Sequence, residues 1–167
     1  EGGGAVFLRD IDIVEIEDST FMSNTVDSTG GAVVTENCNV VRVKNSIFTM
    51  NSAVYHGGAL SISQTTAETH ISNSLFESNS AFYGSSVALG KSANFSAYGN
   101  RFIGNMQQSG ATVFWIMRSY VNVPGKQGVA GFSEDEGINQ WFNSAMDPPV
   151  IWKNNYFDGN TEAGALC

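Results

Sequence analysis

One four-residue phrase, Phe-x-x-Asn, is written into this chain five times, at Phe21–Asn24, Phe48–Asn51, Phe76–Asn79, Phe102–Asn105 and Phe157–Asn160. A second phrase, two glycines followed by Ala and an aliphatic residue, alternates with it as Gly3-Gly4-Ala5-Val6, Gly30-Gly31-Ala32-Val33 and Gly57-Gly58-Ala59-Leu60, so the glycine pairs recur every 27 residues. A fixed period of this size is the mark of a solenoid, in which each repeat buries its apolar face only by stacking on its neighbour. Fold is therefore strongly constrained. Function is less so, because sites are grafted onto folds and not dictated by them.

Taking each Phe as origin fixes the register of the coil. Five residues earlier stand Ile16, Val43, Ile71, Ala97 and Trp152, and seven earlier stand Val14, Val41, Thr69, Phe95 and Val150. The residues between them, Glu15, Arg42, His70, Ser96 and Ile151, are mostly polar. Such alternation reads as a half-buried strand. Turn formers follow it: Asp18-Ser19, Asn45-Ser46, Asn73-Ser74, Gly99-Asn100 and Asn154-Asn155. Their side chains bond nearby backbone and tolerate left-handed conformations, so a corner belongs there. The Phe then points inward, the Asn marks the next corner, and a polar loop leads to the glycine pair. A further strand should carry Val6 and Leu8, Val33 and Thr35, Leu60 and Ile62, Val87 and Leu89, and Thr112 and Phe114.

About three short strands per 27-residue turn predict an all-β, parallel β-helix of about five to six turns. In that arrangement Phe21, Phe48, Phe76, Phe102 and Phe157 form an aromatic ladder in the core. Asn24, Asn51, Asn79, Asn105 and Asn160 form an amide ladder bonded along the axis. On the outside, Glu15 should sit over Arg42 and Glu17 over Lys44.

The repeat breaks once. Turns of the coil should occupy residues 1–117 and resume at 150–167, with an insertion at 118–149. Loops of such length are usually functional or covering elements. Ser133 and Glu136 have capping-box spacing, and Ile138, Trp141, Phe142, Ala145 and Met146 follow at helical spacing before Pro148-Pro149. One short amphipathic helix is expected there. The stretch Val113–Met117 around Trp115 is too apolar for a strand with one wet side, so its outer face should be covered by the insertion or by a partner chain. Trp115, Trp141 and Phe142 are thus the candidate interface residues, with packing of the insertion on its own coil the favoured version.

Gly-Gly-Ala-aliphatic paired with Phe-x-x-Asn resembles the repeat of the chlamydial polymorphic outer-membrane proteins, and similar repeats occur in large extracellular proteins of other bacteria and of microbial eukaryotes. The resemblance covers nearly the whole chain outside the insertion. It implies a right-handed parallel β-helix, an exported location at the cell surface or beyond, and an adhesive or structural role. Other segments or subunits of a larger assembly, and carbohydrate or cell-surface ligands, are the partners to expect. The chain starts and stops within a repeat, which reads as a segment of a larger protein.

A β-helical lyase or hydrolase needs carboxylates converging from neighbouring turns. Here Asp10 and Asp12 fall over Asn37 and Asn39, Asp18 over Asn45 and Asn73, and Glu77 over Thr49 and Ile103, so no two acids stack on adjacent turns. The Asp10–Asp18 stretch and Glu134-Asp135-Glu136 read as solvated faces or a helix start. His56 and His70 lack partners at metal-ligand spacing and read as surface histidines. Cys38 has no basic companion to activate it, and its register separates it from Cys167 by several turns, too far for a disulfide. No catalytic residue, metal or cofactor is expected.

A net charge of -8 with scattered basic residues argues against nucleic acid, and no apolar run approaches the ~20 residues of a membrane span. The sequon Asn94-Phe95-Ser96 makes Asn94 a candidate glycosylation site, in keeping with secretion. Three readings follow: a non-catalytic structural or adhesive segment, a component of an extracellular filament such as a cell-surface hair, and a carbohydrate-active enzyme.

Overall fold

A computed structural model describes residues 3–90, 94–107, 114–117 and 150–162. Four parallel sheets, each of five strands, run along one axis. Sheet A is built from Val6–Arg9, Val33–Glu36, Leu60–Ser63, Val87–Gly90 and Phe114–Met117. Sheet B holds Ile13–Glu17, Val40–Lys44, Glu68–Ser72, Phe95–Tyr98 and Val150–Lys153. Thr20–Met22, Ile47–Thr49, Leu75–Glu77, Arg101–Ile103 and Tyr156–Asp158 form sheet C. Thr25–Val26, Ser52–Ala53, Ser80–Ala81, Met106–Gln107 and Thr161–Glu162 form sheet D. The chain visits A, B, C and D in order, then steps to the next rung. The molecule is a parallel β-solenoid, as the period predicts.

Two details differ from the sequence reading. Each rung has four strands and not three. The loop expected after the Asn is a two-residue strand whose second residue, Ala53 or Ala81, is buried. A two-residue strand has no visible alternation, so period-2 patterning cannot reveal it. The fifth strand of sheet A is also displaced by two residues: Val87 pairs with Phe114 and Leu89 with Ile116, where Thr112 and Phe114 were expected. The degenerate phrase Ser109-Gly110-Ala111-Thr112 misleads because it imitates the glycine motif without holding its register.

Four left-handed corners close a rung. In the second rung they are Gly30 (φ 65°), Asn37 (54°), Asn45 (50°) and Met50 (54°). The third rung uses Gly57, Gln64, Asn73 and Ser78 at the same places. Two different constraints explain the Gly-Gly pair. Gly57 has φ 62°, a region that L side chains rarely adopt. Gly58 is dictated by its neighbour, since a Cβ there would overlap the carbonyl oxygen of Ser85 on the next rung.

The interior is filled by files of like residues. Val41, Val43, Ile71 and Ala97 of sheet B and Val33, Leu60, Ile62, Val87 and Leu89 of sheet A are fully buried. Phe21, Phe48, Phe76, Phe102 and Phe157 stack with ring centroids 5.0, 5.0, 4.9 and 4.8 Å apart and interplanar angles of 3–9°. The spacing follows from the backbone, because parallel strands lie about 4.8 Å apart.

Candidate functional site

The expected amide ladder forms in full. The Nδ2 of Asn24, Asn51, Asn79 and Asn105 each donates to the Oδ1 of the asparagine one rung on, at 2.9–3.0 Å. Their backbone N–H groups donate to the same oxygens. A second Nδ2 hydrogen reaches back to the preceding rung, from Asn51 to the Phe21 carbonyl, Asn79 to Phe48, Asn105 to Phe76 and Asn160 to Phe102. Each interior amide is thus saturated, which is the condition under which a buried polar network stabilises a core. These residues are consumed by packing and offer nothing to a substrate.

A second internal ladder, not foreseen, occupies the corner before the Phe. The backbone N–H of Ser19 donates to Ser46 Oγ, that of Ser46 to Ser74 Oγ, that of Ser74 to Asn100 Oδ1 and that of Asn100 to Asn155 Oδ1. Ser46, Ser74 and Asn100 are buried. In the sequence these residues read as turn formers only; their repetition at a fixed offset is the signal of a ladder.

Outer-face chemistry is concentrated on sheet B. Arg42 lies between two carboxylates, 3.0 Å from Glu15 and 3.2 Å from Glu68, and Lys44 is 3.5 Å from Glu17. Hydrogen bonds to Glu15 first and then Glu68 hold the Arg42 guanidinium above its ordinary pKa. Arg9 pairs with Glu36 at the rim of sheet A. Asp10 accepts from Asn37 Nδ2 at 2.5 Å and Asp12 from Asn39 Nδ2 at 3.1 Å, while Asp18 is a left-handed corner. Each acid of the Asp10–Asp18 stretch is therefore occupied by an amide, a cation or a turn. Glu134, Asp135 and Glu136 lie outside the described residues.

The histidines have partners that sequence spacing hid. His70 Nδ1 is 2.8 Å from Ser96 Oγ, and its ring tilts against Tyr98. His56 stacks on Tyr83 with centroids 5.6 Å apart. Burial lowers the pKa of both; for His70, Glu68 opposes the shift and Arg42 adds to it. Ser96 and His70 are within the reach of a nucleophile and its base. They stand on a flat sheet face, however, where a cross-strand hydrogen bond accounts for the contact. These partners lie 26 to 28 residues away, so neither histidine is the isolated surface residue that its immediate neighbours suggest.

Cys38 is a free thiol, 1% exposed, in the corner between sheets A and B, with its S–H directed at the Glu36 carbonyl 3.5 Å away. Cys167 lies outside the described residues. So do Trp141, Phe142 and the expected helix. Trp115 belongs to the fifth strand of sheet A, in register with Ala88.

The remaining face of note is sheet C. Met22, Ile47 and Tyr156 project from it and are largely exposed, with Met50 at its corner. Among the described residues, no group of three or more His, Cys, Asp or Glu side chains converges to hold a metal, and no helix is long and apolar enough to cross a membrane. No family model, curated protein or solved structure matches this chain.

Proposed function

We propose that this chain is a non-catalytic structural or adhesive segment of a large extracellular or cell-surface β-helical protein. One observation carries the reading: the aromatic and amide ladders run through all five rungs without a break, so the repeated side chains are spent on stiffness along the axis. The sheet B charges support it, because the Arg42 guanidinium engages both Glu15 and Glu68 in ion pairs across neighbouring rungs. The repeat's resemblance to the chlamydial surface proteins points to the same place of action. Partners of this reading are other segments of the assembly and ligands on an opposing surface.

The test is made on intact source cells. Antibody raised to the solenoid should label non-permeabilised cells, and deleting the coding region should weaken attachment or surface integrity. Label confined to permeabilised cells would sink the proposal. So would turnover of an acidic or neutral polysaccharide that is abolished by Asp12→Asn or Glu68→Gln, which would promote the enzyme reading instead.

A further inference from the structure

We infer that Asn94 carries an N-linked oligosaccharide, and that this glycan stands on the edge of the solenoid where sheet B begins. The inference rests on the extracellular reading above. Asn94 immediately precedes the strand Phe95–Tyr98. Phe95 is buried in the core, so Asn94 and Ser96 project together to the outside, and Asn94 is exposed. Both determinants of the sequon are therefore on the solvent side of one strand.

The ladder asparagines show the converse. Asn51, Asn79, Asn100 and Asn105 are fully buried, and a sugar on any of them would open the coil. None heads a sequon, although Ser or Thr directly follows several of them. The reason is geometric. Two residues beyond the Phe-x-x-Asn asparagine lies the inward position of sheet D, held by Ala53 and Ala81 in the middle rungs, where burial favours an apolar residue. In this asparagine-rich chain, the Asn-x-Ser/Thr triplet falls at an exposed site and avoids the buried ones.

The existing contact of Asn94 also tolerates modification. Its Nδ2 donates one hydrogen to the Ala67 carbonyl at 2.8 Å. In transfer from a lipid-pyrophosphate-linked oligosaccharide, Nδ2 gives up one proton to the transferase and bonds to the sugar C1. The C1–O bond breaks, and the lipid pyrophosphate leaves with its electron pair. The product amide keeps one N–H, enough for the bond to Ala67. A glycan here stands at the start of sheet B, whose outer face carries the polar groups Glu68, His70 and Ser96.

The experiment uses protein isolated from its own source. Cells are first labelled with a membrane-impermeant biotin reagent. The purified protein is then treated with peptide N-glycosidase in heavy-oxygen water and digested with trypsin. The peptide from Ser92 to Arg101 should appear with Asn94 converted to heavy-oxygen Asp, and its unmodified form should be nearly absent. Expressed in the same cells, Asn94→Gln and Ser96→Ala should both lose the glycan, whereas Ser96→Thr should keep it. Biotin-labelled protein with a bare Asn94 overturns the inference and leaves the surface location standing. Protein without biotin and with a bare Asn94 overturns both.

Discussion

Replacing Asn79 by Ala tests whether the amide ladder holds the coil together. The substitution removes four hydrogen bonds at a fully buried site: two accepted by Oδ1 from the backbone and side chain of Asn51, and two donated by Nδ2 to the Phe48 carbonyl and to Asn105 Oδ1. Asn105 Oδ1 keeps a donor, the backbone N–H of residue 79. Two buried N–H groups of Asn51 lose their acceptor, and the Phe48 carbonyl loses one donor. An unsatisfied buried polar group costs about 1–3 kcal/mol, so the loss should be about 4 kcal/mol. For a chain of this length that is a fall in Tm of about 8–16 °C. Far-UV circular dichroism during thermal and urea unfolding reads both quantities. Ser80→Ala is the control, since Ser80 Oγ makes one half-buried bond to Ser52 Oγ and its loss should cost under about 1 kcal/mol. If Asn79→Ala also costs less than about 1 kcal/mol, the saturated ladder does not contribute what its geometry implies.

Further outcomes follow from other positions. Phe48→Ala should cost about 3–5 kcal/mol by opening a cavity between two stacked rings, read by the same unfolding curves. Thr35→Val should raise stability by about 1 kcal/mol, because Thr35 Oγ1 is buried with no hydrogen-bond partner and its file is otherwise aliphatic; an unchanged or lower midpoint would mean the hydroxyl is satisfied. Met50 sits at φ 54° on an exposed corner where the fourth and fifth rungs use Gly104 and Gly159, so Met50→Gly should stabilise by about 0.5–1 kcal/mol. The two histidines set a pH window. Their folded pKa values lie below the ordinary 6.5, so the unfolded chain binds protons first, and stability should decline as pH falls from about 7 and level off once the folded groups also protonate. Urea midpoints across pH 5–7 should flatten in a His56→Gln/His70→Gln variant, and an unaltered slope would assign the effect to other groups.

The sequence alone determined the period, the parallel stacking and the identity of the two main ladders. Phe21 to Phe157 and Asn24 to Asn160 could be read in advance because a solenoid maps separation in sequence directly onto stacking in space. The same mapping placed Glu15 over Arg42 and Asp10 over Asn37. Only the tertiary structure decided what depends on corner geometry. The fourth sheet has strands too short to show alternation. The Ser46–Ser74–Asn100 file looks like turn chemistry until burial makes it a second ladder. The fifth strand of sheet A pairs Val87 with Phe114, two residues beyond the position that the imitated glycine phrase marks, so strand pairing and not the phrase sets the register there. His70 and His56 drew their partners from the next rung, at a distance along the chain that only a fixed register converts into contact. Sequence specifies such a coil through its repeats. The structure is needed where the repeats degenerate, since there the packing of one rung on the next selects the alignment.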